Sequence, residues 1–219
     1  MIVDWKKIDT VLLDMDGTLL DLNFDNHFWQ EFVPLNFAKK QGLSIELAKQ
    51  QLQPQFKSME GKLEWYCLDY WSDVLELDIA GLKAEISELI VVLPHVTEFL
   101  EKIHQSSKKV YLVTNAHRDS LNLKMEKTCL QVFFDEIISS HDLGFAKEHP
   151  DFWRLLQQKQ KFEKQTTLMV DDSLTVLKAA RQFGIGNLVS VSRPDSQQPK
   201  KVITDYPAIE DFRELLIGL

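Results

Sequence analysis

A chain of 219 residues, 44% hydrophobic and 26% charged, has the make-up of an ordinary globular protein with room for one core and a smaller insertion. Its formal net charge of −8 argues against nucleic acid or an anionic membrane as the main partner. The first residues lack the apolar run of a signal peptide and the run at 89–93 is too short for a bilayer, so a soluble, cytoplasmic chain is expected. The two cysteines, Cys67 and Cys129, have no metal-type spacing and read as packing thiols in a reducing compartment.

In chain order, the run VLL at 11–13 predicts a buried strand that ends abruptly in Asp14 and Asp16, followed by Gly17 and Thr18. From 25 to about 89 the pattern is helical. Pro34 should kink or break the first helix unless it begins a new one, and Gly42 should stop it. Ser44 is a suitable N-cap for a helix through Ile45, Leu47, Ala48 and Leu52. The segment LEWYCLDYWSDVL places Leu63, Tyr66, Tyr70, Trp71 and Val74 on one helical face, and a further helix is expected over 79–89. After Pro94 the pattern alternates: helix 96–104, strand 109–114, helix 120–128, strand DEIISS, helix 151–159, strand TLMV, a helix from Ser173 to about Gly184, strand NLVSV, and a terminal helix near 209–217. The stretch SRPDSQQPKK reads as a surface loop. Such alternation predicts an α/β fold, a doubly wound, Rossmann-like parallel sheet with helices on both faces. Residues 1–20 and 94–219 would form its core, and 21–93 a helical cap inserted after the first strand.

In open parallel sheets the reactive crevice lies at the carboxyl ends of the strands. Asp14 and Asp16 end the first strand there, Thr114 and Asn115 the second, Asp171 and Asp172 the strand TLMV, and Lys147 follows the third. A lone pair of acids after a strand is ordinary turn chemistry. Four acids converging on one crevice need a cation or raised pKa values, and oxygen donors without His or Cys select magnesium over zinc. A hydroxyl from Thr114 and an ammonium from Lys147 then suit a phosphoryl group.

DMDGT, VTN, the lysine of FAKEHP and VDDS, in that order, resemble the four motifs of the haloacid dehalogenase-like (HAD) phosphohydrolases, and the helical insertion resembles the cap of their helical-cap members. The resemblance implies Asp14 as the nucleophile that becomes an aspartyl-phosphate, and Asp16 as general acid and then base. It also implies Mg2+ on Asp14, the Asp16 main-chain carbonyl and Asp172, with Asp171 in support and Mn2+ or Co2+ as substitutes. Thr114 and Asn115 would hold phosphoryl oxygens and Lys147 would neutralise charge. The dehalogenases of the superfamily lack the second acid, so Asp16 favours a phosphohydrolase. The family's lysine–proline pair reads Lys147-Glu148 here, and Glu148 is expected to point outward.

The segment 21–93 holds ten of the 22 aromatic residues and no arginine, which disfavours a second phosphate or carboxylate and suits an aromatic body. Phe24, Phe28 and Trp29, near the catalytic loop, could stack on a base or simply fill the core; Tyr66, Tyr70 and Trp71 read as core. Longer strings, DTVLLDMDGTLLDL, FDNHFW, WYCLDYWS, TNAH and DDS followed by QFGI, are similar to the purine-nucleotide phosphatases of the family. That likeness implies a 5′-nucleotidase for GMP and IMP, with flavin mononucleotide a further substrate. His117 would touch substrate or cap its loop. The rival readings are a phosphoglycolate or sugar-phosphate phosphatase, a phosphomutase, a phosphonate hydrolase, and a phosphate-sensing scaffold without turnover. The sequence does not give the oligomeric state.

Overall fold

The computed structural model describes residues 2–219. Its strands are β1 (Thr10–Leu13), β2 (Lys109–Thr114), β3 (Glu136–Ser139), β4 (Thr167–Asp171), β5 (Asn187–Val191) and β6 (Ala208–Ile209). They form one sheet in the order β3-β2-β1-β4-β5-β6, with every pair parallel. This is the doubly wound order in which the crevice opens at the reversal between β1 and β4. Both of those strands are buried throughout, which is why they read as unbroken apolar runs rather than alternating ones.

The helices are α1 (Asn23–His27), α2 (Val33–Gln41), α3 (Ile45–Met59), α4 (Leu68–Leu75), α5 (Ile79–Glu85), α6 (Val96–His104), α7 (Arg118–Thr128), α8 (Pro150–Gln160) and α9 (Leu174–Phe183). Successive strand residues face opposite ways. Val11, Leu13, Leu112 and Val170 share one core with α6 and α7, whereas Leu12, Val113 and Met169 share another with α8 and α9. The first core continues into the α1–α5 segment through Phe24, Phe28, Val33, Leu52 and Trp71. The chain leaves and re-enters the sheet layer side by side: the Asp21 N–H donates to the Val91 carbonyl (2.9 Å) and the Leu93 N–H to the Leu19 carbonyl (2.9 Å).

Local sequence accounts for most of the helix boundaries. Gly42 ends α2 at φ +65°, and the Ser44 hydroxyl accepts from the Leu47 N–H (3.3 Å) at the start of α3. Pro34 does not break its helix. A π turn over Phe28–Phe32 joins α1 to α2, and the Val33 N–H reaches back five residues to the Phe28 carbonyl. That widened turn makes room for a ring that would crowd a carbonyl four residues back.

Five expectations are corrected. Residues 63–75 are not one helix: a 3-10 turn (Leu63–Tyr66) and α4 meet at an extended Cys67, which caps α4. Leu68, Trp71 and Leu75 therefore form the buried stripe, and Val74 is exposed. Over 79–89, α5 stops at Glu85 and a 3-10 turn (Ser87–Leu89) follows. At 209–217 there is no α-helix. Ile209 pairs with Val191 in β6, and a 3-10 turn (Phe212–Leu215) follows, closed by reciprocal bonds between Asp211 and Glu214. In the loop 192–201, Pro194 and Asp195 are buried because they receive the entry to α1: Leu22 donates to the Pro194 carbonyl (2.9 Å) and Asn26 to the Asp195 carboxylate (2.6 Å). Cys129 is exposed rather than packed. Among the described residues no helix is long and apolar enough to cross a membrane.

Candidate active site

The loop after β1 is a tight turn in which the Leu19 and Leu20 N–H groups both donate to the Met15 carbonyl (2.9 and 2.8 Å). It is held by Gly17 at φ +81°, where a Cβ would lie 2.7 Å from the Asp172 carboxyl carbon, so only glycine brings the two acid loops this close. Asp14 is buried, and its N–H donates to the Val170 carbonyl (3.0 Å) on β4. The crevice above it, about 740 Å³, is lined by Asp14, Asp16, Thr114, Asn115, His117, Lys147, Asp171 and Asp172 together with Trp29, Phe56, Trp65 and Tyr66 from the helical segment.

Lys147 stands at the centre of the acids. Its ammonium donates to Asp14 (2.5 Å), Asp171 (2.8 Å) and the Val113 carbonyl (3.0 Å). Its main chain is pinned on both sides, by the Asn115 side-chain carbonyl (2.9 Å) and the Trp153 indole N–H (2.7 Å). Glu148, in the family's proline position, leaves this arrangement intact. It does not point outward, however. It accepts from the Tyr66 hydroxyl (2.7 Å) and the Asn115 amide (3.0 Å), tying the helical segment to the loop after β2. Thr114 is buried and its hydroxyl oxygen accepts from the Ala116 N–H (3.0 Å), which leaves the hydroxyl hydrogen to donate. Asp171 is fixed by the Ser173 N–H (2.9 Å) at the start of α9.

Burial pushes Asp14 and Asp171 up to about 6, with Lys147 opposing it, and pushes Asp172 up to about 7, with Asp14 adding to it. The same acids hold Lys147 above the ordinary lysine value against its burial. One ammonium thus serves several buried carboxylates. Carboxylate oxygens of Asp14, Asp171 and Asp172 lie within 4.8 Å of one another. An all-oxygen, charge-deficient cluster of this kind fits a hard divalent cation such as Mg2+.

The Asp16 carboxylate turns away from that cluster. It accepts from Lys124 (2.6 Å), which also donates to Asp25 (2.6 Å), and Asp25 accepts in turn from Lys83 (2.5 Å). Burial pushes Asp16 up to about 6 against the pull of Lys124. Asp25 is held well below the usual carboxylate range, because Lys124 and Lys83 outweigh its burial. Burial lowers Lys83, while Asp16 and Asp25 keep Lys124 above its ordinary value despite burial. Asp25, Lys83 and Lys124 are not singled out by any motif. The only signals are a lysine four residues after buried Ile79 and another three after buried Leu121, positions on the inward face of α5 and α7.

The aromatic expectations divide. Phe24 and Phe28, read as stacking candidates, are wholly buried and do not line the crevice; their rings lie 4.7 and 4.6 Å from the Lys83 ammonium. Four residues apart on a helical path, they share its inward side, whereas Trp29, one position on, reaches the crevice. Tyr66, read as core, is a wall of the crevice, and Trp71 is core. His117 lines the crevice and also accepts from the Asp119 N–H (3.5 Å) at the start of α7. Burial, with the neighbouring His117 ring, holds His141 below the ordinary histidine value.

Comparison with known proteins bears on the family. The chain is 40% identical over 217 residues to the GMP/IMP nucleotidase YrfG of Escherichia coli, covering 99% of this chain and 98% of that one. It is 26% identical to the pyrophosphatase PpaX of Oceanobacillus iheyensis, over 96% of both chains. The crystal structure of a HAD phosphatase from Thermococcus onnurineus superposes with a TM-score of 0.79 at 23% identity, covering 96% of this chain and 98% of that one, a likeness of fold. The family profile "haloacid dehalogenase-like hydrolase" matches residues 8–184. The chain belongs to the haloacid dehalogenase-like hydrolases.

Proposed function

We propose that this protein is a divalent-cation-dependent phosphomonoester hydrolase acting on purine nucleoside 5′-monophosphates, GMP and IMP first, with flavin mononucleotide as a further candidate. The observation that carries the chemistry is the separation of roles at the end of β1, with Asp14 facing Lys147 and Asp16 facing Lys124. Residues 21–93 act as the cap that shapes the substrate site, and 1–20 with 94–219 as the catalytic core.

The Asp14 carboxylate attacks phosphorus and forms the aspartyl-phosphate. Asp16, with a carboxyl near 6, protonates the departing ribose oxygen and then takes the proton of the attacking water. The Thr114 hydroxyl and the Asn115 main chain bind phosphoryl oxygens, and Lys147 neutralises charge on Asp14 and on the intermediate. Asp14, Asp172 and the Asp16 main-chain carbonyl, supported by Asp171, would hold Mg2+, which when bound supplies positive charge to the phosphoryl oxygens. Trp29, Phe56 and Trp65 offer flat apolar surface to a base, and the 40% likeness to a GMP/IMP nucleotidase supports a purine.

The test is phosphate release with Mg2+ across GMP, IMP, AMP, flavin mononucleotide, phosphoglycolate and hexose phosphates, with chelated enzyme as control. The expected outcome is the highest kcat/KM on GMP and IMP and none without cation. Preference for phosphoglycolate or a sugar phosphate would overturn the purine assignment, and absence of turnover on every substrate would overturn the hydrolase.

A further inference from the structure

A second group of metal-binding side chains lies at the rim of the crevice, built from three separate stretches of chain. Cys67 joins the 3-10 turn at Leu63–Tyr66 to α4, His117 precedes α7, and His141 lies in the 3-10 turn (Ser140–Asp142) after β3. One ligand atom from each lies within 4.8 Å of the other two. The two imidazoles meet edge to face, 5.0 Å between centroids at 84°. The Nε2 atom of His141 is buried and has no hydrogen-bond partner. A buried polar nitrogen without a partner is costly to keep, so its retention needs a reason. Cys67 Sγ accepts from the Tyr70 N–H (3.5 Å), which fixes the sulfur at the start of α4. Asp69, on the same turn as Cys67, brings a carboxylate oxygen to 3.6 Å from His117 Nε2 and is available as a fourth donor or as a support for the ring.

The donor chemistry is the reverse of that at the acid cluster. Sulfur and two imidazole nitrogens exclude magnesium and select a borderline or thiophilic ion at bond lengths of about 2.0–2.3 Å. Donors on such an ion stand about 3.3–3.8 Å apart, so side-chain rotations of about 1 Å close the group around it. We propose that Cys67, His117 and His141 form a second metal site, for a divalent ion of the zinc class, that fastens the helical segment to the loops after β2 and β3. His117 is two residues from Asn115, so an ion there immobilises the phosphate loop against the segment that must release product. Occupancy of this site slows turnover.

Metal-free protein is held in a large excess of Mg2+, which keeps Co2+ from the acid cluster by mass action, and is titrated with Co2+ as a spectroscopic stand-in for zinc. One equivalent of cobalt should bind with a near-ultraviolet thiolate-to-cobalt charge-transfer band and the intense visible bands of a four-coordinate ion, and Zn2+ should abolish both. Cys67→Ser should lose the charge-transfer band, Cys129→Ser should keep it, and His141→Gln should weaken cobalt binding about tenfold or more. Both Cys67→Ser and His141→Gln should retain Mg2+-supported turnover, which also reports that they fold. The zinc concentration for half-inhibition should rise about tenfold or more in each. A cobalt spectrum without a thiolate band in the parent protein, or a band that survives Cys67→Ser, overturns the site. Equal zinc inhibition of parent and variants overturns its effect on turnover.

Discussion

Asp14 and Asp16 are two residues apart and answer to different lysines. Lys147 is shared between Asp14 and Asp171, and Lys124 between Asp16 and Asp25. If Asp14 is the nucleophile, Asp14→Asn abolishes phosphate release while circular dichroism stays native, since an amide cannot form the acyl-phosphate. Asp16→Asn should lower kcat by about 10²–10⁴-fold, the ordinary worth of a general acid–base group. Lys124→Met tests the buried chain of charges. It strands Asp16 and Asp25 without their shared cation, a loss of about 3–5 kcal/mol that should lower Tm by about 10 °C in a thermal melt. The acids were legible in the sequence because they end strands, and strand ends of a parallel sheet face one crevice, whereas Lys147, in the loop beyond β3, was legible through the family motif it resembles. Lys83 and Lys124 were not, because a lysine buried against a carboxylate and one in water have the same letter. Glu148 shows the converse: its place beside Lys147 was visible, but its direction depends on Tyr66, 82 residues away in sequence.

At the scale of elements, the 3-10 turn over Leu63–Tyr66 matters more than a regular helix would. Continued as an α-helix, 63–75 would put Tyr66 on the same stripe as Tyr70; the break at Cys67 lets Tyr66 turn to Glu148 while Trp71 stays in the core. Tyr66→Phe removes that tie and leaves Glu148 with the Asn115 amide alone. The expected result is a KM raised about three- to tenfold, with kcat changed less, as one charge-assisted hydrogen bond of about 1.5 kcal/mol between the helical segment and Glu148 is lost. An unchanged KM would mean the contact plays no part in holding the substrate site. Strands β1, β2, β4 and β5 were readable from their apolar runs, whereas β6 was not. Two residues carry no periodicity, and Ala208–Ile209 is a strand only because it lies beside Ser190 and Val191.

For the molecule as a whole, several buried carboxyls share one sign of pH dependence. Asp14, Asp16, Asp171 and Asp172 have folded pKa values raised above 3.8, so the folded chain takes up protons before the unfolded one. Stability therefore rises as pH falls from above 7 toward 4. Asp25 has the opposite sign: its contribution is present above the unfolded value and lost only in strong acid. Metal-free protein should gain about 5 °C in Tm between pH 7.5 and about pH 5.5, and saturating Mg2+ at the higher pH should remove most of that difference by stabilising the charged acids directly. A Tm that falls over this interval in chelator would contradict the reading of the acid cluster.

The position of β1 at the centre of the sheet bears on how the protein is made. Thr10 pairs with Lys109 on one side and with Thr167 on the other. β1, apolar at Val11, Leu12 and Leu13, leaves the ribosome ahead of both its neighbours and is fully flanked only after β4 has emerged. At about 5–20 residues per second the nascent chain carries this unsatisfied strand for about 10–30 s. Translation speed between β1 and β4 then sets how long this apolar strand is exposed to aggregation.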